Sequence, residues 1–319
     1  MNEFSLIQDC FDIQKDQGES VIQGIGDDCA IVEIPEGYQL CVSMDTLVSG
    51  VHFPVESKPY DIGYKALVVN LSDCAAMGAK PLWATLALTL PNADKSWLAE
   101  FAKGFFVMAN SYNIALIGGD TTRGPLSITV QIHGIIPKAK ALLRSEAKFG
   151  DDIYVTGTLG DAGLGLQTLL GNMPRLVDSA QQEFIETRLN RPSPRVSIGQ
   201  ALQDVAHACI DISDGLAADL QHILTASKLG AVLDVDRLPL STALQNLSHE
   251  QAQNLALYSG DDYELCFTAP TGMREAIERI SQTHHCAISR IGSMIDSPGL
   301  FRYRDNELIS LTVSGFQHF

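Results

Sequence analysis

Six separated segments of the chain set carboxylates beside glycines, serines and threonines. They are Gly-Ile-Gly-Asp-Asp (Gly24 to Asp28), Ser-Met-Asp-Thr (Ser43 to Thr46), Asn-Leu-Ser-Asp (Asn70 to Asp73), Gly-Gly-Asp-Thr-Thr-Arg (Gly118 to Arg123), Asp-Ile-Ser-Asp-Gly (Asp211 to Gly215) and Ser-Gly-Asp-Asp-Tyr-Glu (Ser259 to Glu264). Magnesium takes hard oxygen ligands at about 2.0–2.1 Å, usually one or two carboxylates with water and substrate phosphate completing an octahedron. Small neighbours let phosphate and metal approach the backbone. Segments of this kind that converge in a fold make a multi-magnesium polyphosphate site.

Each segment has its own chemistry. In Gly118 to Gly124 two glycines free backbone N–H groups for phosphate, Asp120 offers a metal ligand and Arg123 a fixed cation; a plain hairpin turn between two strands is the competing reading. Asp27 and Asp28 are adjacent, so in an extended segment they point to opposite sides and only one reaches a shared metal; a solvated turn is the alternative. Asp45 stands at the end of an apolar strand, flanked by Ser43 and Thr46. Asp73 lies in an apolar helix beside Asn70 and Ser72, where an ionised group is expensive to bury without a cation or donor. Period-two alternation puts Asp211 and Ser213 on one side of a strand, while Asp214 reads equally well as a cap on the following helix. His52, next to Phe53 and Pro54, could donate to a substrate phosphate; His284 and His285 read as surface residues.

What is missing narrows the class. There is no G-x-x-x-x-G-K-[ST] and no Gly-Lys pair, which excludes a Walker-type phosphate loop. Gly157 to Gly165 follows a strand and precedes a helix, but its glycine spacing is wrong for a dinucleotide turn; it reads as a strand-to-helix turn whose helix start could lie near a phosphate. Net charge is −16, from 38 acidic and 22 basic residues, so neither nucleic acid nor an anionic membrane is an expected partner, and phosphates must be neutralised locally, by cations. The seven cysteines show no C-x-x-C pair and no zinc-type spacing, as expected of free thiols in a reducing compartment. No signal-like N-terminus and no apolar run of about 18 residues is present, so a cytoplasmic location is expected.

The elements that must position these residues are strands at Gln39 to Ser43, Ala84 to Leu90, Ile114 to Ile117 and Leu126 to Ile136, with helices at Asp61 to Met77 and Asp94 to Asn110. The polar, basic stretch from Pro137 to Gly150 separates them from a second series. That series has strands at Ile153 to Thr156, Ala208 to Ile212, Ala231 to Val235, Tyr263 to Thr268, Ile288 to Ile291 and Leu308 to Val313. Its helices are near Ala162 to Leu170, Gln181 to Leu189, Arg195 to Ala206, Gly215 to Ser227, Gln251 to Tyr258 and Met273 to Thr283. Two domains, 1–137 and 138–319, are expected. Neither alternates strands and helices regularly, which predicts an α+β, mixed-sheet fold rather than a doubly wound parallel sheet.

Taken in order, the segments resemble the thiamine monophosphate kinases, relatives of the aminoimidazole ribonucleotide and selenophosphate synthetases. The resemblance runs nearly end to end, through Phe4-Ser-Leu-Ile, Gly24 to Ala30, Asp45-Thr-Leu-Val with His52-Phe, Tyr64-Lys-Ala-Leu, Asn70-Leu-Ser-Asp, Ala75 to Ala79, Leu116 to Pro125, Tyr154-Val-Thr-Gly-Thr, Arg191-Pro-Ser-Pro-Arg, Asp211 to Leu216 and Asp262-Tyr-Glu-Leu. It implies a two-domain α+β kinase that uses magnesium and ATP to phosphorylate thiamine phosphate. It also implies a homodimer whose N-terminal domains join their sheets into a barrel. The metal positions it implies are Asp28, Ser43, Met44, Asp45, Asp73, Asp120, Asp211 and Asp214. ATP would meet Gly119, Asp120, Arg144, Ser213 and Tyr112, and thiamine phosphate would meet His52, Asp261 and Phe316. Relatives often have Thr where Met44 stands, so a metal contact there must be through backbone; they often have Glu where Asp261 stands, which shortens the reach to substrate. No catalytic side chain is expected for in-line, metal-assisted transfer. A purine-type or selenide-activating synthetase is the alternative within the same superfamily, and a nucleotide-binding regulator the alternative outside it.

Overall fold

Ile128, Val130 and Ile132 recur at every second position of 127–137, the period of a strand with one buried face. In the computed structural model, which describes residues 10–14, 18–304 and 307–316, this stretch is an inner strand of a four-stranded sheet. The Phe4 to Ile7 segment lies outside the described residues. Contacts divide the chain into two units, Met1–Cys74 with Ala79–Ala139, and Ala75–Gly78 with Lys140–Phe319.

The first unit begins with a short antiparallel pair, β1 (Val21–Gln23) and β2 (Ile31–Val32). Then come β3 (Tyr38–Val48), α1 (Pro59–Met77), β4 (Lys80–Leu90), α2 (Lys95–Ser111), β5 (Ala115–Arg123) and β6 (Ser127–Pro137). The sheet order is β3-β6-β4-β5, with β3 and β5 at its two edges. Strands β4 and β5 are parallel, as a crossover through α2 requires, and the other pairings are antiparallel. Asp94 starts α2 by accepting the N–H groups of Ser96 (2.9 Å) and Trp97 (3.2 Å).

Register decides which residues share a face, because directly paired residues point the same way. Asp45 pairs with Val130, Val130 with Leu86 and Leu86 with Gly119. On the other face Asp120 pairs with Ala87, Ala87 with Thr129 and Thr129 with Thr46. Val130 and Leu86 are buried, whereas Thr46, Ala87 and Asp120 are exposed.

In the second unit the chain runs β7 (Asp152–Thr156), α3 (Asp161–Leu169), α4 (Ser179–Asn190), α5 (Val196–Ala201), β8 (Ala208–Asp211), α6 (Leu216–Ser227), β9 (Gly230–Leu233), α7 (Thr242–Gln245), α8 (His249–Tyr258), β10 (Leu265–Ala269), α9 (Arg274–Thr283), β11 (Ile288–Ile295), β12 (Gly299–Arg304) and β13 (Glu307–Ser310). Its seven strands lie in the order β13-β12-β9-β11-β7-β10-β8. Among the described strands of this second sheet only β12 with β9 is a parallel pair. Leu216, Leu220, Ile223 and Leu224 of α6 bury one stripe into a core shared with Ile153, Val155, Ile210 and Leu233. The mixed-sheet α+β architecture is the one the irregular alternation predicts.

Three expectations change. Gly118 to Arg123 is not a hairpin turn but the second half of β5, and strand β3 continues through Asp45 to Val48 instead of ending there. Gly119 can sit in a strand because its backbone presses on β4: a Cβ would lie 1.9 Å from the Leu86 carbonyl oxygen. Strand β10 starts at Leu265, not Tyr263, because Asp261 and Tyr263 have φ of 69° and 50°, outside any strand. Among the described residues no helix is long and apolar enough to cross a membrane.

Candidate functional site

In the first unit the predicted metal residues form two groups, one on the face of the sheet that carries Asp45 and one around edge strand β5. Ser43 of β3 donates its hydroxyl to Asp73 Oδ2 at 2.5 Å, which brings α1 against the face that also carries Asp45. Asp73 is therefore a half-buried acceptor at a strand–helix contact, and its charge adds to burial in pushing the Cys41 thiol up. The Cys74 thiol is raised by burial first and by Cys41 and Asp73 after it, so both sulfurs stay protonated. Met44 points away from this face and is 61% exposed.

The second group is Asp28 and Asp120, which line one cavity of about 820 Å³ together with Asp27, Gly26, Gly118 and Gly119. Asp28 donates its N–H to Asp27 Oδ1 at 2.8 Å, so the pair forms a local turn and not the extended segment the sequence suggested. Gly119 and Asp120, predicted for ATP, thus share this cavity with Asp28, predicted for metal. Among the described residues no three His, Cys, Asp or Glu side chains gather into a set able to hold an ion unaided. Such partial sets of hard oxygens fit magnesium, which completes its shell with water and phosphate, and do not fit a closed all-protein cage.

His52 is held by its own strand end. Its Nδ1 accepts the Val48 N–H at 3.0 Å, so the neutral ring carries its proton on Nε2, the donor a phosphate oxygen needs. Tyr112 closes α2, its N–H bonded to the Met108 carbonyl at 3.2 Å.

In the second unit the predicted residues converge. The Asp261 N–H donates to the Ser213 carbonyl (2.9 Å), the Tyr263 N–H to the Ile212 carbonyl (2.8 Å) and the Phe316 N–H to the Asp214 carbonyl (3.2 Å). One loop, 211–215, therefore meets both the residues predicted for thiamine phosphate and those predicted for metal and ATP. The Asp261 carboxylate also accepts the Tyr263 hydroxyl at 3.1 Å. Asp211 ends β8 and is buried. Arg144 is at the other end of α6, where its carbonyl accepts the Ser227 hydroxyl at 2.8 Å.

Two features escaped the sequence reading. The start of α6 is served by Asp219, whose Oδ2 accepts the N–H groups of Ser213 (3.0 Å), Asp214 (3.0 Å) and Gly215 (3.1 Å), so the cap expected of Asp214 comes from within the helix. Burial first, and the neighbouring Asp211 second, push the Asp219 carboxyl up to about 7 against the pull of those N–H groups. An acidic residue in the first helical turn was the available signal. The other feature is fully buried Glu264, which accepts Arg195 at 2.6 and 2.5 Å, Arg188 at 2.9 Å and the Thr156 hydroxyl at 2.6 Å. Beside it buried Asp262 accepts the Gly160 N–H at 2.8 Å, and burial drives its carboxyl well above the usual range. The Gly160 N–H at the start of α3 is thus taken by a protein carboxylate and not by a phosphate. A Cβ on Gly160 would come 2.7 Å from the Ala256 nitrogen, so this glycine answers to packing against α8.

With this geometry in hand, comparison with known proteins is specific. The family model described as AIR synthase related protein, N-terminal domain, matches residues 26–136, and its C-terminal counterpart matches 148–305. Thiamine-monophosphate kinase of Escherichia coli K12 is 50% identical over 319 residues, covering 99% of this chain and 98% of the relative. A crystal structure of thiamine-monophosphate kinase from Stenotrophomonas maltophilia superposes with a TM-score of 0.88 at 45% identity, covering 97% of this chain and 98% of that one. The structure of AaThiL complexed with AMPPCP and TMP has a TM-score of 0.77 at 29% identity, covering 99% and 96%.

Proposed function

Because the chain belongs to the thiamine-monophosphate kinase family, with both AIR synthase-related domains, it is an ATP-dependent thiamine-phosphate kinase, and we propose that transfer is direct, in line and magnesium-dependent. A terminal oxygen of thiamine phosphate attacks the γ-phosphorus, the bond to the bridging oxygen breaks, and thiamine diphosphate and ADP result. The attacking phosphate is already ionised near neutral pH, so no general base is required, and positioning with electrostatics supplies the catalysis.

Residues 1–137 carry Asp28, Ser43, the backbone of Met44, Asp45, Asp73 and Asp120 for the metal, and residues 138–319 add Asp211 and Asp214. When bound, magnesium would neutralise the ATP triphosphate and the acceptor phosphate so that the two anions can approach each other. Gly119 and Asp120 in their cavity, with Arg144, Ser213 and Tyr112, hold ATP. His52 donates from Nε2 to the acceptor phosphate, while Asp261 and Phe316 hold thiamine. The observation that supports this best is the shared loop: Ser213 and Asp214 on the nucleotide side are bonded through backbone to Asp261 and Phe316 on the acceptor side. The described cysteines are all free thiols, which suits the reducing cytoplasm.

A homodimer completes the reading. Asp45 on edge strand β3 and Asp120 on edge strand β5 are three strand spacings apart, about 14 Å, and point to opposite faces. A single ion cannot bridge them within one chain. Two sheets joined edge to edge would bring β3 of one copy to β5 of the other, and would cover Leu40, Val42 and Met44, which are 45%, 46% and 61% exposed on β3.

Incubation with ATP, magnesium and thiamine phosphate should yield thiamine diphosphate and ADP in equal amounts, read by mass. ATP bound but not consumed would overturn the reading. With chiral γ-phosphate, inversion at phosphorus is expected; retention would mean a phosphoenzyme.

A further inference from the structure

The loop 211–215 is gripped on both of its polar sides. Its carbonyl groups, at Ile212, Ser213 and Asp214, receive Tyr263, Asp261 and Phe316, as described above. Its N–H groups, at Ser213, Asp214 and Gly215, all point at a single oxygen, Asp219 Oδ2. Three successive N–H groups aimed at one point form an anion nest, and here the anion is the protein's own carboxylate. Asp219 is 3% exposed, and of its three donors only the Gly215 N–H makes a fully buried bond, those of Ser213 and Asp214 being part-buried. Its neighbours on α6, Leu216, Leu220 and Ile223, are fully buried, which fixes the helix that carries it.

We propose that Asp219 is a positioning residue for phosphoryl transfer: it sets the conformation of the Ser213–Gly215 loop and, through that loop's carbonyl groups, the placement of Asp261 and Phe316. The inference rests on the kinase reading above. Asp219 itself touches neither substrate. Without its oxygen three N–H groups, that of Gly215 buried and those of Ser213 and Asp214 half-buried, lose their shared acceptor, the loop turns to find others, and nucleotide-side and acceptor-side residues shift together.

Two variants test this. Asp219→Ala removes the acceptor, whereas Asp219→Asn keeps one acceptor oxygen in a side chain of nearly the same size. Steady-state kinetics are measured against thiamine phosphate and against magnesium ATP, with thermal melting to verify folding. Asp219→Ala should lower kcat/KM for thiamine phosphate about 10²-fold, the size of loss that an ångström of misplacement brings. Asp219→Asn should recover to within about tenfold of the unmodified protein, the residue of the loss reflecting the weaker neutral acceptor. A folded Ala variant within about twofold in both substrates, or an Asn variant as impaired as Ala, overturns the inference. If the Ala variant does not fold, Asn decides alone: a KM for thiamine phosphate raised about three- to tenfold supports the role, and an unchanged KM overturns it. If the unmodified protein forms no thiamine diphosphate, it is the kinase reading that fails. Asp219 is then judged by affinity for magnesium with a non-hydrolysable ATP analogue, which both variants should weaken, Ala more than Asn.

Discussion

The two units carry their site residues in opposite ways. In the second, of the proposed residues, Asp261 and Phe316 are bonded through backbone to Ser213 and Asp214, Asp211 is set by its pairing with Leu265, and buried Asp219 and Glu264 brace the surroundings. In the first, the carboxylates are spread over both faces of the sheet, with Asp45 on one edge strand and Asp120 on the other. The second unit's proposed residues are held by its own hydrogen bonds. On the proposed dimer, those of the first would need cations and a second copy to come together, because like-charged aspartates repel one another without cations.

The widest effects should come from the scattered half. Asp45→Asn and Asp120→Asn should each lower kcat about 10²–10³-fold while both variants remain folded, since Asn nearly preserves the side chain's size and removes only its charge. Equal, mild losses at both would remove the metal array. The same pair sharpens the edge-to-edge dimer. Mixing the two inactive variants after subunit exchange should restore about a quarter of wild-type activity, because half the dimers are mixed and one of their two sites is intact. No recovery would mean each site is built within one chain.

In the organised half the effect should fall on stability. Burial works to raise the Glu264 carboxyl, but Arg195 and Arg188 outweigh it and hold the group below its ordinary 4.5. Its contribution is therefore complete above pH 4.5 and is lost as pH falls through the depressed native value. Glu264→Gln should cost about 3–5 kcal/mol at neutral pH by leaving two arginines unmatched, and its melting temperature should vary less with pH on the acid side. A variant that melts like the wild type would mean the cluster does not hold this half together. The smallest change expected is at Ser43→Ala. Loss of the hydroxyl on Asp73 should reduce activity about three- to tenfold, measured at saturating magnesium, with little change in melting.

Much of this contrast was legible in the chain. The helices around 61–77, 94–110 and 215–227 appear within a residue or two of their observed bounds, because their apolar spacing is regular and their starts carry Asp or Gly. Strand β5 was read short because Gly118 to Arg123 has turn composition; what makes it a strand is the contact of Gly119 with Leu86, which no local pattern reveals. Strand β3 was cut at Ser43 because its outward side chains are apolar and exposed, blurring the alternation. The aspartates suggest magnesium and phosphate by residue type, but which of them share a face depends on register, which the local sequence does not carry. Asp219 and Glu264 went unassigned for a related reason: their roles are fixed by partners from other segments.

The bracing of Glu264 has a consequence for how the second unit comes into being. Its partners Thr156 and Arg188 precede it in the chain by 108 and 76 residues. At a synthesis rate of about 5–20 residues per second, several seconds pass on the ribosome before the carboxylate that matches them emerges. Until then strand β7 lacks β10, one of the two neighbours it pairs with in the finished sheet, and the arginines lack the carboxylate that matches their charge. The unit is thus a late and cooperative folder, dominated by pairings between distant segments. A chain released or cleaved ahead of residue 264 would present open sheet edges and no kinase, a ready substrate for proteolysis.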